Sequence, residues 1–421
     1  LAETLATTPH RDNEPLIQRA INANFRLGGA ADAERVVAFA ADASVAASFR
    51  DEAFDALNHW TEPDVLDRVE GRNRPLAKRD PQIVAAALSA QLDKLLVDNN
   101  QDIQRQTMAL AEELKVAVPP ALLATVFQNA GSPDALRAQA LRSLAAEEMD
   151  GLMALVDSAL KDKAAVVQSA ALDVLAAKNA DRAREEIANL LGSKKAALPV
   201  KQHAVRLLPT VKGGNVVAEW LGRWSDVPTG LQLDLMEAAT HPDLADDAAV
   251  AKMWTVVNQT LTTQAAANPI AGFAMCEEGG DAAIGEDIVR NNVTAQCIAC
   301  HKLDDGKGST VGPNLKSVGL KEGGRGYLLE SMVNPQAVIA NGYGMITLTL
   351  TNGETVAGQF RSEKDGVIEL RDPEGKTTKI KVADVKERSP IISTMPPVAL
   401  ILSKREVRDV IAYLATLKAP K

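Results

Sequence analysis

Apolar residues at helical spacing, in a pattern that repeats at a regular interval along the chain, constrain the fold of this 421-residue sequence more than any other feature. An Ala-Leu or Ala-Val pair begins at Ala140, at Ala171 and again at Ala204. Arg105 and Arg137 hold equivalent places in two successive copies of the same pattern. One pair of short helices cannot bury its apolar face alone, whereas stacked pairs share a continuous core. A period of about 32 residues therefore predicts an α-solenoid.

The repeated segment lies between about residues 15 and 260. Its units resemble HEAT repeats, although they are shorter than is usual for that class. An irregular helical bundle is the alternative fold. His203 and His241 have no second ligand nearby in the sequence, so we expect them to be ordinary core or surface residues. We expect the repeats to act as a scaffold with an interaction surface.

Residues 297–301 read Cys-Ile-Ala-Cys-His, which is the Cys-x-x-Cys-His pattern of covalent c-type haem attachment. Two thiols one helical turn apart can each add to a vinyl group of the porphyrin, and the adjacent imidazole can bind the iron. The motif therefore predicts one haem c, attached through Cys297 and Cys300, with His301 as an iron ligand. A zinc site would need about four nitrogen or sulfur ligands, and a redox dithiol would need a βαβ context. The remaining cysteine, Cys276, is expected to be an ordinary thiol.

Helix signals on both sides of the motif predict a small helical domain around it. Asp281 can cap a helix that leads into the motif. Ser403 and Glu406 have the spacing of a capping box for a terminal helix, whose apolar residues form one stripe. The composition changes near residue 277, so we place a helical repeat domain at 1–277 and a haem domain at 278–421.

An alternating segment interrupts the predicted haem domain. Residues 345–351 alternate apolar and polar side chains and are followed by Asn-Gly, a strong signal for a hairpin turn. Three further strand-like runs cover 355–360, 367–370 and 377–382, with turn signals at 365–366 and 372–375. The pattern predicts a four-stranded antiparallel meander inserted at about 343–388.

The insertion determines which methionine can be the second iron ligand. Met395 lies far beyond His301 in the sequence, but leaving out the insertion at 343–388 brings it within a reasonable reach for a small haem domain. The two prolines that follow Met395 would hold its loop rigid. We therefore predict Met395 as the second axial ligand of the iron. Met332 and Met345 are expected to lie in the core, and bound water or a second histidine is the alternative ligand.

The segment from about 278 to 419 resembles the haem-binding domain type of Planctomycetes and Verrucomicrobia. Besides the haem motif, the resemblance rests on Val-Gly-Pro-Asn-Leu at 311–315, Leu-Glu-Ser-Met-Val-Asn-Pro at 329–335, Asn-Gly-Glu-Thr-Val-Ala-Gly at 352–358, Ser-Thr-Met-Pro at 393–396 and the closing helix at 407–414. It implies a mainly α fold, in which a HEAT-like α-solenoid precedes a cytochrome c-like helical domain with an inserted antiparallel β meander.

The likeness to cytochromes c also implies roles for single residues. The Pro313 carbonyl would accept a hydrogen bond from Nδ1 of His301, which orients the ring and raises its basicity toward iron. Gly285 and Tyr413 would form the contact at which the first and last helices cross. One departure is visible, because Ile288 stands where an aromatic side chain is usual shortly after that glycine.

The same resemblance implies an electron-transfer module in the periplasm or another extracytoplasmic space. It would accept electrons from an upstream dehydrogenase, fused or bound, and pass them to another cytochrome or a terminal oxidase. The dehydrogenase-like propeller that often precedes such domains is not in this sequence, so we expect no enzymatic activity of the chain by itself. Two alternatives stay open: a haem-based sensor or small-peroxidase-like site with an open sixth position, and a scaffold that binds a polysaccharide or protein while the haem is structural.

Charge and hydropathy argue against other classes of partner. The net charge of −9 and the lack of a basic tract make a nucleic-acid partner unexpected. No apolar run approaches the roughly 18 residues that a membrane-spanning helix needs. A haem c is attached outside the cytoplasm, yet Leu1 does not begin a charged and apolar leader. We therefore expect the sequence to be a piece of a longer protein.

Overall fold

The structure is a computed structural model, and it describes residues 1–7, 13–147, 149–303, 305–372 and 375–419. The chain divides into two compact units, Leu1–Ala183 and Arg184–Lys421. Helices dominate the described residues, and an antiparallel sheet lies in the second unit. This confirms the predicted mainly α class with a small inserted sheet. The predicted domain boundary between residues 277 and 278 stays a prediction.

The first unit consists of short helices. They are α1 (Thr4–Thr7), α2 (Glu14–Leu27), α3 (Ala30–Ala40), α4 (Ala47–Asn58), α5 (Gln82–Ser89), α6 (Leu92–Leu95), α7 (Gln101–Glu113), α8 (Pro120–Gln128), α9 (Asp134–Ala146), α10 (Leu152–Ala159) and α11 (Ala165–Lys178), and α12 (Ala180–Gly192) begins in this unit. The side chain of Asn13 caps α2 by accepting the N–H of Leu16. Ile17 and Ile21 lie on the buried face of the same helix.

A buried ion pair links α4 to the turn before α7. Nη2 of Arg50 lies 2.6 Å from Oδ2 of Asp98, and both side chains are buried, with exposures of 4% and 5%. Nε of Arg50 also donates to the carbonyl of Ala40 at 2.7 Å. Because both charges are buried, removing either partner would leave the other without a counter-charge.

The second unit continues the helical pattern and then changes to a mixed one. Its helices are α13 (Leu198–Leu207), α14 (Gly214–Gly222), α15 (Thr229–Ala239), α16 (Ala248–Ala267), α17 (Ala282–Asn291), α18 (Cys297–Cys300), α19 (Gly324–Val333) and α20 (Lys404–Leu414). Short 3₁₀ helices occur at Trp224–Asp226, Pro242–Leu244, Pro269–Cys276, Val318–Leu320, Val382–Asp384 and Val398–Leu400.

Helix pairs recur at the period that the sequence predicts. The first helices of successive pairs among the described residues begin, at nearly even spacing, at Gln101, Asp134, Ala165, Leu198 and Thr229. In the first unit α9 packs against α8 and α11, and in the second unit α13 packs against α15 and α14 against α16. The repeated pairs are therefore present. Their assignment to the HEAT class stays a prediction.

Among the described residues the insertion forms a five-stranded antiparallel sheet, not the predicted four-stranded meander. The strands are β1 (Met345–Leu350), β2 (Thr355–Lys364), β3 (Val367–Arg371), β4 (Thr377–Lys381) and β5 (Val385–Arg388), in the order β4-β3-β2-β1-β5. The prediction missed β5, which returns to pair with the free edge of β1. The sequence of β5, Val-Lys-Glu-Arg, lacks the apolar alternation that marks a strand. Residues 373 and 374 of the predicted turn at 372–375 lie outside the described residues.

The first and last helices of the predicted haem domain cross at a glycine. Helix α17 packs on α20, and a Cβ placed on Gly285 would lie 1.9 Å from the carbonyl oxygen of Asp409. The same Cβ would lie 2.9 Å from Cβ of Tyr413. Only a glycine allows this close approach, so the predicted contact between Gly285 and Tyr413 is confirmed.

A buried charge network joins α15 to α20. Asp234 is 0% exposed and accepts hydrogen bonds from Nη1 of Arg408 at 2.7 Å and from Nη1 of Arg206 at 3.0 Å. Nη2 of Arg405 lies 3.3 Å from the same carboxylate. Within the second unit, the helical segment before residue 277 and the segment after it therefore share a buried ion network.

Candidate haem site

The Cys-x-x-Cys-His motif forms the single turn of α18, and His301 follows directly. The N–H of His301 donates to the carbonyl of Cys297 at 2.9 Å, which continues the turn. Cys297 is half-buried and packs against the apolar core, whereas Cys300 is exposed. Burial raises the pKa of the Cys297 thiol, so its neutral form is the stable one near neutral pH. The two thiols thus lie one helical turn apart, as attachment to a porphyrin requires.

The imidazole of His301 is held in one orientation and one tautomer. Its Nδ1 lies 2.8 Å from the carbonyl oxygen of Pro313, and a carbonyl can only accept, so Nδ1 carries the proton. Burial lowers the pKa of His301, although the hydrogen bond to Pro313 acts in the opposite direction. The neutral ring therefore keeps a lone pair on Nε2 that is free to bind a metal. The structure contains the hydrogen bond that the resemblance implies.

The loop after the motif packs tightly on the ring of His301. A Cβ placed on Gly312 would lie 2.9 Å from Cε1 and 3.0 Å from Nδ1 of that ring. The N–H of Gly312 donates to the carbonyl of Cys300 at 2.6 Å, and the N–H of Leu315 donates to the carbonyl of Lys302 at 2.8 Å. These bonds fix the loop that carries the Pro313 carbonyl against the motif.

Met395 lies in the loop that leads from β5 to α20. Its side chain is half-buried and packs against the same apolar core as Cys297 and Leu315. Its N–H donates to Oγ of Ser393 at 3.2 Å. Met332 is 3% exposed on α19, which confirms that it belongs to the core. The role of Met395 as an iron ligand stays a prediction.

The third cysteine is a buried and unreactive thiol. Cys276 is 0% exposed, and burial raises the pKa of its thiol to about 12. A thiol with so high a pKa carries almost no thiolate near neutral pH and is a poor nucleophile. The expectation of an ordinary thiol at this position is confirmed. Within the described ranges, no group of three or more His, Cys, Asp or Glu side chains is placed to hold a metal ion.

Two glutamines that the sequence analysis did not single out contact the loops of the predicted iron ligands. Oε1 of Gln336 accepts the N–H of Ser393 at 2.9 Å, and its Nε2 donates to the carbonyl of Ile391 at 3.1 Å. Nε2 of Gln359 donates to the carbonyl of Val311 at 2.8 Å. Each contact joins residues at least 48 positions apart, so no local spacing rule could have revealed it.

The donor set of this site suits a covalently attached haem. Cys297 and Cys300 supply two thiols at the required spacing, and His301 supplies an imidazole with a free Nε2. Met395 adds a soft thioether sulfur beside the same apolar core. Helices that cross at a glycine, together with this donor set, define the class of the C-terminal part as a c-type cytochrome domain.

Comparison with known proteins agrees with this class. The chain is 32% identical to the cytochrome c-550 of Novispirillum itersonii over 139 residues, which are 33% of this chain and 100% of that protein. Because the whole length of that relative is covered, the chain belongs to the cytochrome c family. No protein-family model matches the chain. In the part of the chain that the structure describes, no helix has the length and apolar character needed to cross a membrane.

Proposed function

We propose that the C-terminal part of the chain is an extracytoplasmic electron-transfer cytochrome that carries one haem c. Cys297 and Cys300 would hold the porphyrin, and His301 and Met395 would bind its iron. The observation that carries the proposal is the hydrogen bond of 2.8 Å between His301 and Pro313, directly after a Cys-x-x-Cys-His turn. When bound, the haem supplies a one-electron couple between ferric and ferrous iron.

The residues of this chain have separate tasks in that function. The Pro313 carbonyl orients the imidazole of His301 and increases its electron donation toward a metal. The apolar core beside Cys297 and Met395 limits access of water, which favours the less charged ferrous state. A thioether ligand favours the same state, since Met/His ligation raises the reduction potential.

The chain would work between an electron donor and an electron acceptor. The donor would be an upstream dehydrogenase, fused or bound, and the acceptor another cytochrome or a terminal oxidase. Support comes from the family of the relative and from the resemblance to haem domains that follow a helical repeat segment. The helical repeats would hold the donor and the haem in register, and the periplasm is the compartment in which such a module would work.

The first experiment tests the haem and its axial ligand. The chain, exported and matured in a host that attaches haem c, should gain the mass of one haem and show a reversible one-electron titration. In Met395→Ala we expect the weak long-wavelength band of methionine–iron ligation to disappear while the covalent haem is retained. Met332→Leu, a change of a buried core methionine, is the matched control and should keep the band. An unchanged spectrum in Met395→Ala would refute the ligand assignment.

The same preparation separates the proposal from its main alternative. A sensor or small-peroxidase-like site has an open sixth position, so its ferrous form would bind carbon monoxide rapidly without any mutation. The proposed His/Met ligation predicts slow binding in the unchanged protein and rapid binding in Met395→Ala. Rapid binding in both would favour the alternative.

A further inference from the structure

The inserted sheet contacts the loop that carries the predicted ligand Met395. Met345, the first residue of β1, exchanges both backbone hydrogen bonds with Ile392, at 2.8 Å and 2.9 Å. Ile392 lies just before Met395 in the sequence. The start of β1 therefore holds the backbone from which the Met395 loop departs.

A residue paired with Met345 also contacts the loop that orients His301. On its other side Met345 lies directly opposite Gln359 of β2. Nε2 of Gln359 donates to the carbonyl of Val311 at 2.8 Å, and Val311 lies just before Pro313 in the sequence. Met345 and Gln359, which lie opposite each other on β1 and β2, thus connect the loop of Met395 with the loop that orients His301.

Gln336 also restrains the Met395 loop, through two hydrogen bonds. It follows α19 and uses both ends of its amide: Oε1 accepts the N–H of Ser393 at 2.9 Å, and Nε2 donates to the carbonyl of Ile391 at 3.1 Å. Oγ of Ser393 in turn accepts the N–H of Met395 at 3.2 Å. The residues just before Met395 are therefore tied to the end of α19 by directional bonds.

Burial alone does not hold this loop. Ile391 is 39% exposed and Ile392 is 53% exposed, so the residues before Met395 bury only part of their apolar surface. A loop that buries only part of its apolar surface opens locally at lower cost unless hydrogen bonds restrain it. The contacts of Gln336 and the pairing with Met345 therefore act together with the packing of the Met395 side chain on the apolar core to keep Met395 in place.

We infer that the inserted sheet, together with Gln336 after α19, holds the loops of the predicted iron ligands in place, and that Gln336 and Gln359 are positioning residues. Gln336 restrains the loop of Met395, and Gln359 couples the sheet to the loop of Pro313. The inference rests on the proposed His/Met ligation. On this inference the insertion affects how strongly Met395 competes with other ligands for the iron.

The test uses the full, matured chain and imidazole as a competitor for the sixth position of the ferric iron. Both hydrogen bonds of Gln336 are exposed and each contributes at the low end of the usual range, so losing them in Gln336→Leu should tighten apparent imidazole binding about tenfold. The weak long-wavelength band should decrease, and the midpoint potential should fall because the thioether stabilises ferrous iron. Gln359→Leu loses one bond and should show a smaller shift in the same direction, about threefold.

Two further variants serve as an intermediate case and as a control. Gln336→Glu retains an acceptor for the N–H of Ser393 and loses the donor to Ile391, so it should lie between the wild type and Gln336→Leu; it also serves if the leucine variant does not fold. Thr355→Ala changes an exposed residue on the same strand as Gln359 and should bind imidazole like the wild type.

The outcomes distinguish this inference from the proposed function. If Met395→Ala loses the long-wavelength band but both leucine variants bind imidazole like the wild type, the positioning role of the two glutamines is refuted and the ligation stands. If Met395→Ala keeps the band, the ligation itself fails. Tighter imidazole binding in the order Gln336→Leu, Gln336→Glu, wild type, with Thr355→Ala unchanged, supports the positioning role.

Discussion

Replacing Asp234 by alanine tests whether α20, the last helix of the cytochrome domain, depends on the helical segment that precedes that domain. Asp234 is 0% exposed on α15, and Arg408 of α20 is 2% exposed. Their hydrogen bond of 2.7 Å is made wholly inside the second unit. Nε of Arg408 already lacks a hydrogen-bond partner among the described residues, so removing Asp234 would leave a buried guanidinium without a counter-charge.

The size of the effect follows from that burial. Removing one partner of a buried ion pair costs about 3–5 kcal/mol. Arg206 and Arg405 also contact Asp234, but they are partly exposed and can turn to water. The loss of their contacts therefore adds little to the free-energy cost of the substitution. In a unit of this size, 1 kcal/mol shifts the melting temperature by about 2–4 °C. The melting temperature of Asp234→Ala should therefore fall by roughly 6–20 °C.

The assay follows helix content by circular dichroism and the haem environment by Soret absorbance in the same melt. Both signals should move to lower temperature together, because the charge network joins α15 to α20. Adding Arg408→Met to Asp234→Ala removes the buried charge and should recover part of the loss. Glu219→Ala, which breaks an exposed ion pair with Arg223 in the same unit, should change little and is the control. A melting temperature of Asp234→Ala within about 1 °C of the wild type would show that the reasoning is wrong.

Three other changes probe separate features of the structure. Gly285→Val should destabilise the second unit by about 1–3 kcal/mol or more and lower the yield of covalent haem, because the added carbon overlaps the carbonyl of Asp409; a normal haem yield would contradict this. Burial raises the pKa of Asp409, so the folded state binds that proton more tightly and loses stability as pH rises through the raised pKa. Asp409→Asn keeps an acceptor for the N–H of Asp281 and should show a smaller fall of melting temperature from about pH 4 to about pH 7; parallel curves would argue against it. Asp98→Ala should lower the free energy of unfolding of the first unit by about 3–5 kcal/mol in urea, since Arg50 is left buried and unpaired.

Features set by short-range rules could be predicted from the sequence. The cap of α17 is present, since Asp281 accepts the N–H of Ala283 at 2.8 Å. The capping box of α20 is present as well, with Ser403 and Glu406 bonded in both directions. In each case the atoms that meet belong to near neighbours in the sequence, so the spacing alone determines the contact. The contact of Gly285 with Tyr413 is long-range, and it was reached only through the resemblance to cytochromes c.

Features set by distant contacts could not be predicted in this way. Asp234 and Arg408 are 174 residues apart, and neither sits in a pattern that marks a buried charge. Gln336 meets Ser393 across 57 residues, and a glutamine in a turn is ordinarily a solvated side chain. Each of these residues forms its ion pair or hydrogen bond because the tertiary fold brings a partner from a distant part of the sequence beside it. Their partners become visible only once the helices and the sheet are in place.

The fifth strand explains how a sheet can be inserted into a small cytochrome domain without separating the loops of the predicted iron ligands. A meander of four strands would leave its first and last strands at opposite edges, so the chain would have to return across the sheet to reach Met395. With β5 paired to β1, the chain enters and leaves the sheet at one place, where Met345 and Ile392 share two hydrogen bonds. The distance in sequence from His301 to Met395 is therefore long, while the insertion adds almost no distance in space. The prediction of Met395 assumed that the ends of the insertion meet, and the strand it missed is the element that makes them meet.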